Sequence, residues 1–104
     1  MDCFIINNIT ENDTRTNNLR ILVENKSYFP MPDDEIQQTY DIMVKVGSEI
    51  YDRQYIYYRY KSGRLNIGAE LFRDKLRINA GDILVVVVLE ENSLYQVINL
   101  RTLI

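Results

Sequence analysis

The chain of 104 residues has no histidine and no tryptophan, one cysteine, two prolines and four glycines. Each shortage excludes something. A single cysteine cannot close an internal disulfide. Without histidine, the usual Cys/His zinc centre and every histidine-based general acid or base drop out. Cys3 is therefore expected to be a reduced thiol, packed as a small hydrophobe, in a cytoplasmic protein. No apolar run approaches the roughly 20 residues needed to cross a bilayer; the longest, Ile83 to Leu89, has the length of a strand. Nothing at the amino end resembles a signal peptide, since Met1-Asp2-Cys3-Phe4-Ile5-Ile6 is short and carries an acid. No glycine-rich phosphate loop is present, and no serine or cysteine has a histidine to activate it. The expectation is a protein without cofactor, metal, catalytic residues or membrane partner.

What is present is an ordinary globular composition, 46% hydrophobic and 26% charged, enough for one domain over residues 1–104. The apolar end, Asn99 to Ile104, fits a cut inside a larger protein as well as it fits a small complete one. The formal net charge of −3 argues against a protein that coats nucleic acid indiscriminately.

Apolar residues recur mostly with period two, which predicts strands. These run over Phe4–Thr10, from Leu19 to about Val23, and over Tyr40–Val46, Arg53–Lys61, Arg64–Ile67, Ile83–Leu89 and Leu94–Asn99. Pro32 followed by Asp33, Asp34 and Glu35 predicts a short helix to about Thr39. Ala69 to Arg77, with Leu71, Phe72 and Leu76 on one face, predicts a second. The Ile83–Leu89 run is apolar on both faces and so belongs at the centre of a sheet or in a barrel. The expected fold is mainly β: a seven-stranded antiparallel open pseudobarrel with two short helices at its ends.

Charge is distributed unevenly. Arg15, Arg20 and Lys26 against Glu24 leave a net +2. Arg53, Arg59, Lys61 and Arg64 form a second cluster that contains no acid. The acids sit elsewhere, at Asp33-Asp34-Glu35 and Glu90-Glu91. If Arg53–Lys61 is one strand, alternation puts Arg53, Tyr55, Tyr57, Arg59 and Lys61 on one face. Arginine can fork a guanine edge, lysine meets phosphate, and asparagine can read adenine. A solvated strand edge is the plain alternative for any one of these charges. A second class of function is a β-barrel protein-interaction module using the tyrosine-rich strand. Asp13 with Glu24-Asn25-Lys26 has the form of a metal-dependent nuclease set, but such short sets occur often by chance, and surface strand residues are the preferred reading.

The order of elements resembles the DNA-binding pseudobarrel of the plant B-three transcription-factor domains, which also serves as the recognition domain of EcoRII-, BfiI- and LlaJI-type restriction systems. The likeness covers about Phe4 to Ile98. Asn12-Asp13-Thr14-Arg15-Thr16-Asn17-Asn18-Leu19-Arg20-Ile21 matches the amino-terminal arm. Phe29-Pro30 matches the apolar-Pro step after it. Tyr57-Tyr58-Arg59-Tyr60-Lys61-Ser62-Gly63-Arg64-Leu65-Asn66 matches the carboxy-terminal arm, and the helix from Ala69 with the Gly81-Asp82 turn completes the pattern. The resemblance implies two arms gripping the major groove of double-stranded DNA. Arg15, Thr16, Asn17, Asn18 and Arg20 would act from one arm. Arg59, Lys61, Ser62, Arg64 and Asn66 would act from the other, with Tyr57 bracing the floor between them. It further implies sequence-specific recognition for a restriction or defence system, with an attached nuclease or partner subunit doing any chemistry.

Overall fold

The computed structural model describes residues 2–34 and 36–103. Seven strands form one sheet: β1 (Asp2–Ile6), β2 (Asn18–Ile21), β3 (Gln38–Val46), β4 (Glu49–Tyr57), β5 (Gly63–Asn66), β6 (Leu84–Glu90) and β7 (Leu94–Asn99). Their order across the sheet is β1-β6-β7-β3-β4-β5-β2. The two outer strands, β1 and β2, approach each other without a ladder, so the sheet curls into a nearly closed barrel. The mainly β pseudobarrel is the fold. It is mixed rather than antiparallel, because β3 runs parallel to β7, with Met43 opposite Leu94 and Lys45 opposite Gln96. Period-two alternation reports which face a side chain takes, not the direction of the neighbouring strand. The long stretch between β3 and β7 supplies the crossover that a parallel pair needs.

The barrel interior follows from that alternation. Leu19 and Ile21, Ile42 and Val44, Tyr55 and Tyr57, Leu84, Val86 and Val88, and Tyr95 and Val97 all point inward and are buried. Phe29, only 2% exposed, sits among them. Its ring stacks on Tyr55 with centroids 4.5 Å apart and on Tyr95 at 4.3 Å, and meets Phe4 edge-on at 6.1 Å. The Tyr95 hydroxyl donates to the Tyr28 carbonyl. Burial raises the phenol pKa of both Tyr55 and Tyr95 above its ordinary value, so both stay protonated.

The helices differ from expectation. Among the described residues no helix starts at Pro32: Asp33 and Asp34 lie in a turn and Thr39 is already in β3. Glu35 of that expected helix lies outside the described residues. The pull of β3 toward its nine-residue ladder with β4 wins over the acidic first turn. Helical turns form instead in the segment read as polar loop, α1 (Glu11–Thr16), and as a 3-10 turn over Val23–Tyr28 where the second strand was expected to end. The expected helix near Leu71 is present as a π-helical turn, Glu70–Lys75, in which Leu76 N–H donates to the Leu71 carbonyl. It buries Leu71 and Phe72. A final 3-10 turn covers Leu100–Leu103. Cys3 is exposed on β1 rather than packed, since the inward positions there are Phe4 and Ile6. No described helix is long and apolar enough to cross a membrane.

The Gly81-Asp82 turn ties this framework together. Asp82 is buried and accepts from Asn79 N–H at 2.8 Å, Asn99 Nδ2 at 3.1 Å and Arg101 Nε at 3.0 Å. Burial alone would raise its carboxyl pKa, but these hydrogen bonds and the Arg101 charge outweigh burial and hold it below the usual value. The stabilisation is therefore fully present above the unfolded carboxyl value near 3.9 and is lost as pH falls through the lower folded value. Urea denaturation of Asp82→Asn should give a lower unfolding free energy than the parent at neutral pH, by about 1–3 kcal/mol. The gap should narrow as both are acidified below about pH 4. A gap that stays constant down that range would show that the carboxylate charge is not what stabilises the turn.

Candidate nucleic-acid interface

The two expected arms are adjacent strands. β2 pairs antiparallel with β5, placing Asn18 opposite Asn66, Leu19 opposite Leu65, Arg20 opposite Arg64 and Ile21 opposite Gly63. Leu19, Ile21 and Leu65 take the inner face and are fully buried. By alternation, Asn18, Arg20, Arg64 and Asn66 share the outer face, two asparagines beside two arginines.

Asp13 stands behind the arginines. A Thr10–Asp13 capping box, with Thr10 N–H donating to Asp13 Oδ2 and Asp13 N–H to Thr10 Oγ1, fixes the carboxylate at the start of α1. Only 2% of the residue is exposed. Arg20 Nε donates to Asp13 Oδ2 at 3.3 Å, and Arg64 Nη1 lies 3.7 Å from Oδ1. Arg20 Nη2 also donates to the Asn8 carbonyl. One carboxylate thus orients two guanidiniums and leaves the pair with a net positive charge. Arg20 commits two of the five N–H groups of a guanidinium to these contacts, so donors remain for an incoming acceptor.

The loop from β4 to β5 completes the surface. Lys26, buried to 6% exposure, donates from Nζ to the carbonyls of Tyr58 and Lys61, the latter at 2.8 Å, with its ammonium 4.2 Å from the centre of the Tyr57 ring. This lysine pins the loop from inside. Arg20, Arg64, Lys61, Ser62 and Tyr58 line a groove of about 400 Å³, and no carboxylate among the described residues lines it. A second groove, sharing Tyr58 and Lys61, continues to Arg59.

The structure therefore brings Asn18, Arg20, Arg59, Lys61, Ser62, Arg64 and Asn66 to one continuous region. It does not bring all the expected residues there. Arg15 and Thr16 are exposed on α1, and Arg15 lines a different groove with Arg73 and Asn79. The Thr16 hydroxyl donates back to the Asn12 carbonyl. Asn17 is the left-handed C-cap of α1, φ 58°. Tyr57 points into the barrel rather than outward. β4 ends at Tyr57, so the expected face of Arg53, Tyr55, Tyr57, Arg59 and Lys61 is split. Tyr55 and Tyr57 line the core, Arg53 is half-buried outside it, and Arg59 and Lys61 belong to the loop. Arg53 donates to the Ile67 carbonyl and to Glu70. With Tyr55 and Tyr57 inside, the tyrosine surface of the expected strand is confined to Tyr58 and Tyr60.

Asp13 and Lys26 belong to the nuclease-like set of the sequence. Their side chains serve the arginines and the loop carbonyls instead, and Glu24 is exposed. No group of three or more acidic or cysteine side chains placed to hold a metal occurs among the described residues. The roles of Asp13 and Lys26 had one readable sign: Thr10-x-x-Asp13 is a capping-box pattern. Nothing in the sequence marked Lys26 as buried. No family model and no curated protein matches the chain.

Proposed function

We propose that the domain recognises a particular sequence in double-stranded DNA, laying the β2–β5 face and the 58–62 loop into the major groove. The reading extends to the B-three-like pseudobarrel family and to target recognition for a restriction or other defence protein. The observation that carries it is the Arg20–Arg64 pair, held across two strands by one buried carboxylate and flanked by Asn18 and Asn66. A preset pair of guanidiniums fits guanine O6/N7, and the exposed Asn66 beside them fits adenine N6/N7. Lys61, Ser62 and Arg59 would meet phosphates and fix the register. The acidic surplus outside this region keeps affinity for arbitrary DNA low.

Selection of bound duplexes from a random pool tests this and reports the site. Binding to the selected duplex should weaken with salt along a log–log slope of several units. Arg64→Ala and Arg20→Ala should each cost about 1–3 kcal/mol and relax preference at one base position. Arg64→Lys should not restore that preference, because an ammonium cannot fork a guanine. Affinity unchanged in the double alanine variant would sink the proposal.

A further inference from the structure

Tyr60, at the tip of the loop, is 80% exposed and has a positive φ of 61°. The Arg59 guanidinium lies over its ring at 4.7 Å from the centroid. Beside it opens a mainly apolar pocket of about 260 Å³, lined by Val23, Met31, Tyr57, Arg59 and Tyr60 among others. Val23 and Met31 are themselves more than half exposed. The patch is concave, so a flat group entering it is covered on more than one side. The volume falls below the roughly 300 Å³ at which sites for drug-sized ligands begin, so it suits one ring system. Arg59 lines both this pocket and the groove that leads through Lys61 to Arg64. A strand whose phosphates followed those cations would arrive at the pocket with a base.

We propose that the pocket beside Tyr60 receives a single nucleobase turned out of the bound duplex, stacked on the Tyr60 ring against Met31 and Val23. The proposal rests on the DNA reading above and adds an extrahelical base to it. Aromatic stacking tolerates any base, so this contact contributes affinity and DNA distortion while the β2–β5 face supplies sequence preference. Unpairing is least costly where a base has no partner. The pocket should therefore favour duplexes that offer one.

The test compares, by fluorescence anisotropy, a paired duplex of the selected sequence with the same duplex carrying one unpaired thymine, its position walked along the site. If selection yields no sequence, the unselected pool takes the place of the paired duplex, with and without the unpaired thymine. One position should bind roughly tenfold tighter than the paired duplex. Tyr60→Ala should abolish that gain, and Tyr60→Trp should retain it; the exposure of Tyr60 keeps both variants folded. A paired duplex that binds with no gain at any position, or a gain that survives Tyr60→Ala, overturns the pocket and leaves the groove reading standing. A Tyr60-dependent gain without paired-duplex binding does the reverse. Binding to neither overturns both.

Discussion

Phe29→Ala should destabilise the domain by about 3–5 kcal/mol, the range for removing a buried aromatic side chain. Native domains are stable by only about 5–15 kcal/mol, so the variant should lose a large share of the domain's stability. The size of the effect follows from position. Phe29 sits at the centre of the barrel between two tyrosine rings, and both stacking contacts vanish with it. The surrounding strands are held by their ladders and cannot collapse into the cavity. Phe29→Leu keeps much of the volume and should lose less than half as much. Urea denaturation monitored by far-ultraviolet circular dichroism measures both. A Phe29→Ala variant within about 1 kcal/mol of the parent would show that the stack is not central to the core.

Gly63→Ala should also be damaging, for a different reason. A Cβ at Gly63 would overlap the Tyr55 hydroxyl oxygen and lie 2.6 Å from two carbons of its ring. Tyr55 is fully buried and stacked on Phe29, so it has nowhere to go. Overpacking of this kind costs about 1–3 kcal/mol or more. The displaced strand is β5, so the Arg64 position should suffer with it, and DNA affinity should fall together with stability. Tyr55→Phe gives the contrast. The Tyr55 hydroxyl is buried without a hydrogen-bond partner, and removing such a group should leave stability unchanged or raise it. The double variant should lose less than Gly63→Ala alone, because the closest contact is gone while the ring contacts remain. Denaturation midpoints for the three variants decide the matter. Full stability in Gly63→Ala would mean that Tyr55 can shift freely.

The strands were legible because their inward residues alternate: Ile42 and Val44, Leu84, Val86 and Val88, Tyr95 and Val97 declare themselves by period. The limits of β4 were not. Its run of tyrosines and cations continues past Tyr57 without a break in pattern, and the strand ends there because Lys26, distant in sequence, claims the Tyr58 and Lys61 carbonyls. The α1 helix was hidden by its shortness, since a six-residue helix with one buried side chain carries no apolar stripe. Both basic clusters could be read from charge. That they pair, and that Asp13 holds an arginine from each, depends on register between residues far apart in the chain, which no local pattern encodes.

The strand order also sets how the chain must find its fold. β3–β4, β4–β5 and β6–β7 join strands that follow one another in the sequence. The other three ladders join Asp2 with Val88, Asn18 with Asn66 and Met43 with Leu94. Their loop-closure entropy must be met before any of their contacts form, which places such a barrel among slow folders. The Arg20–Arg64 pair exists only after one of these distant closures. The proposed reading face is thus a late product of folding, present when the whole barrel has formed and absent from any local fragment of it.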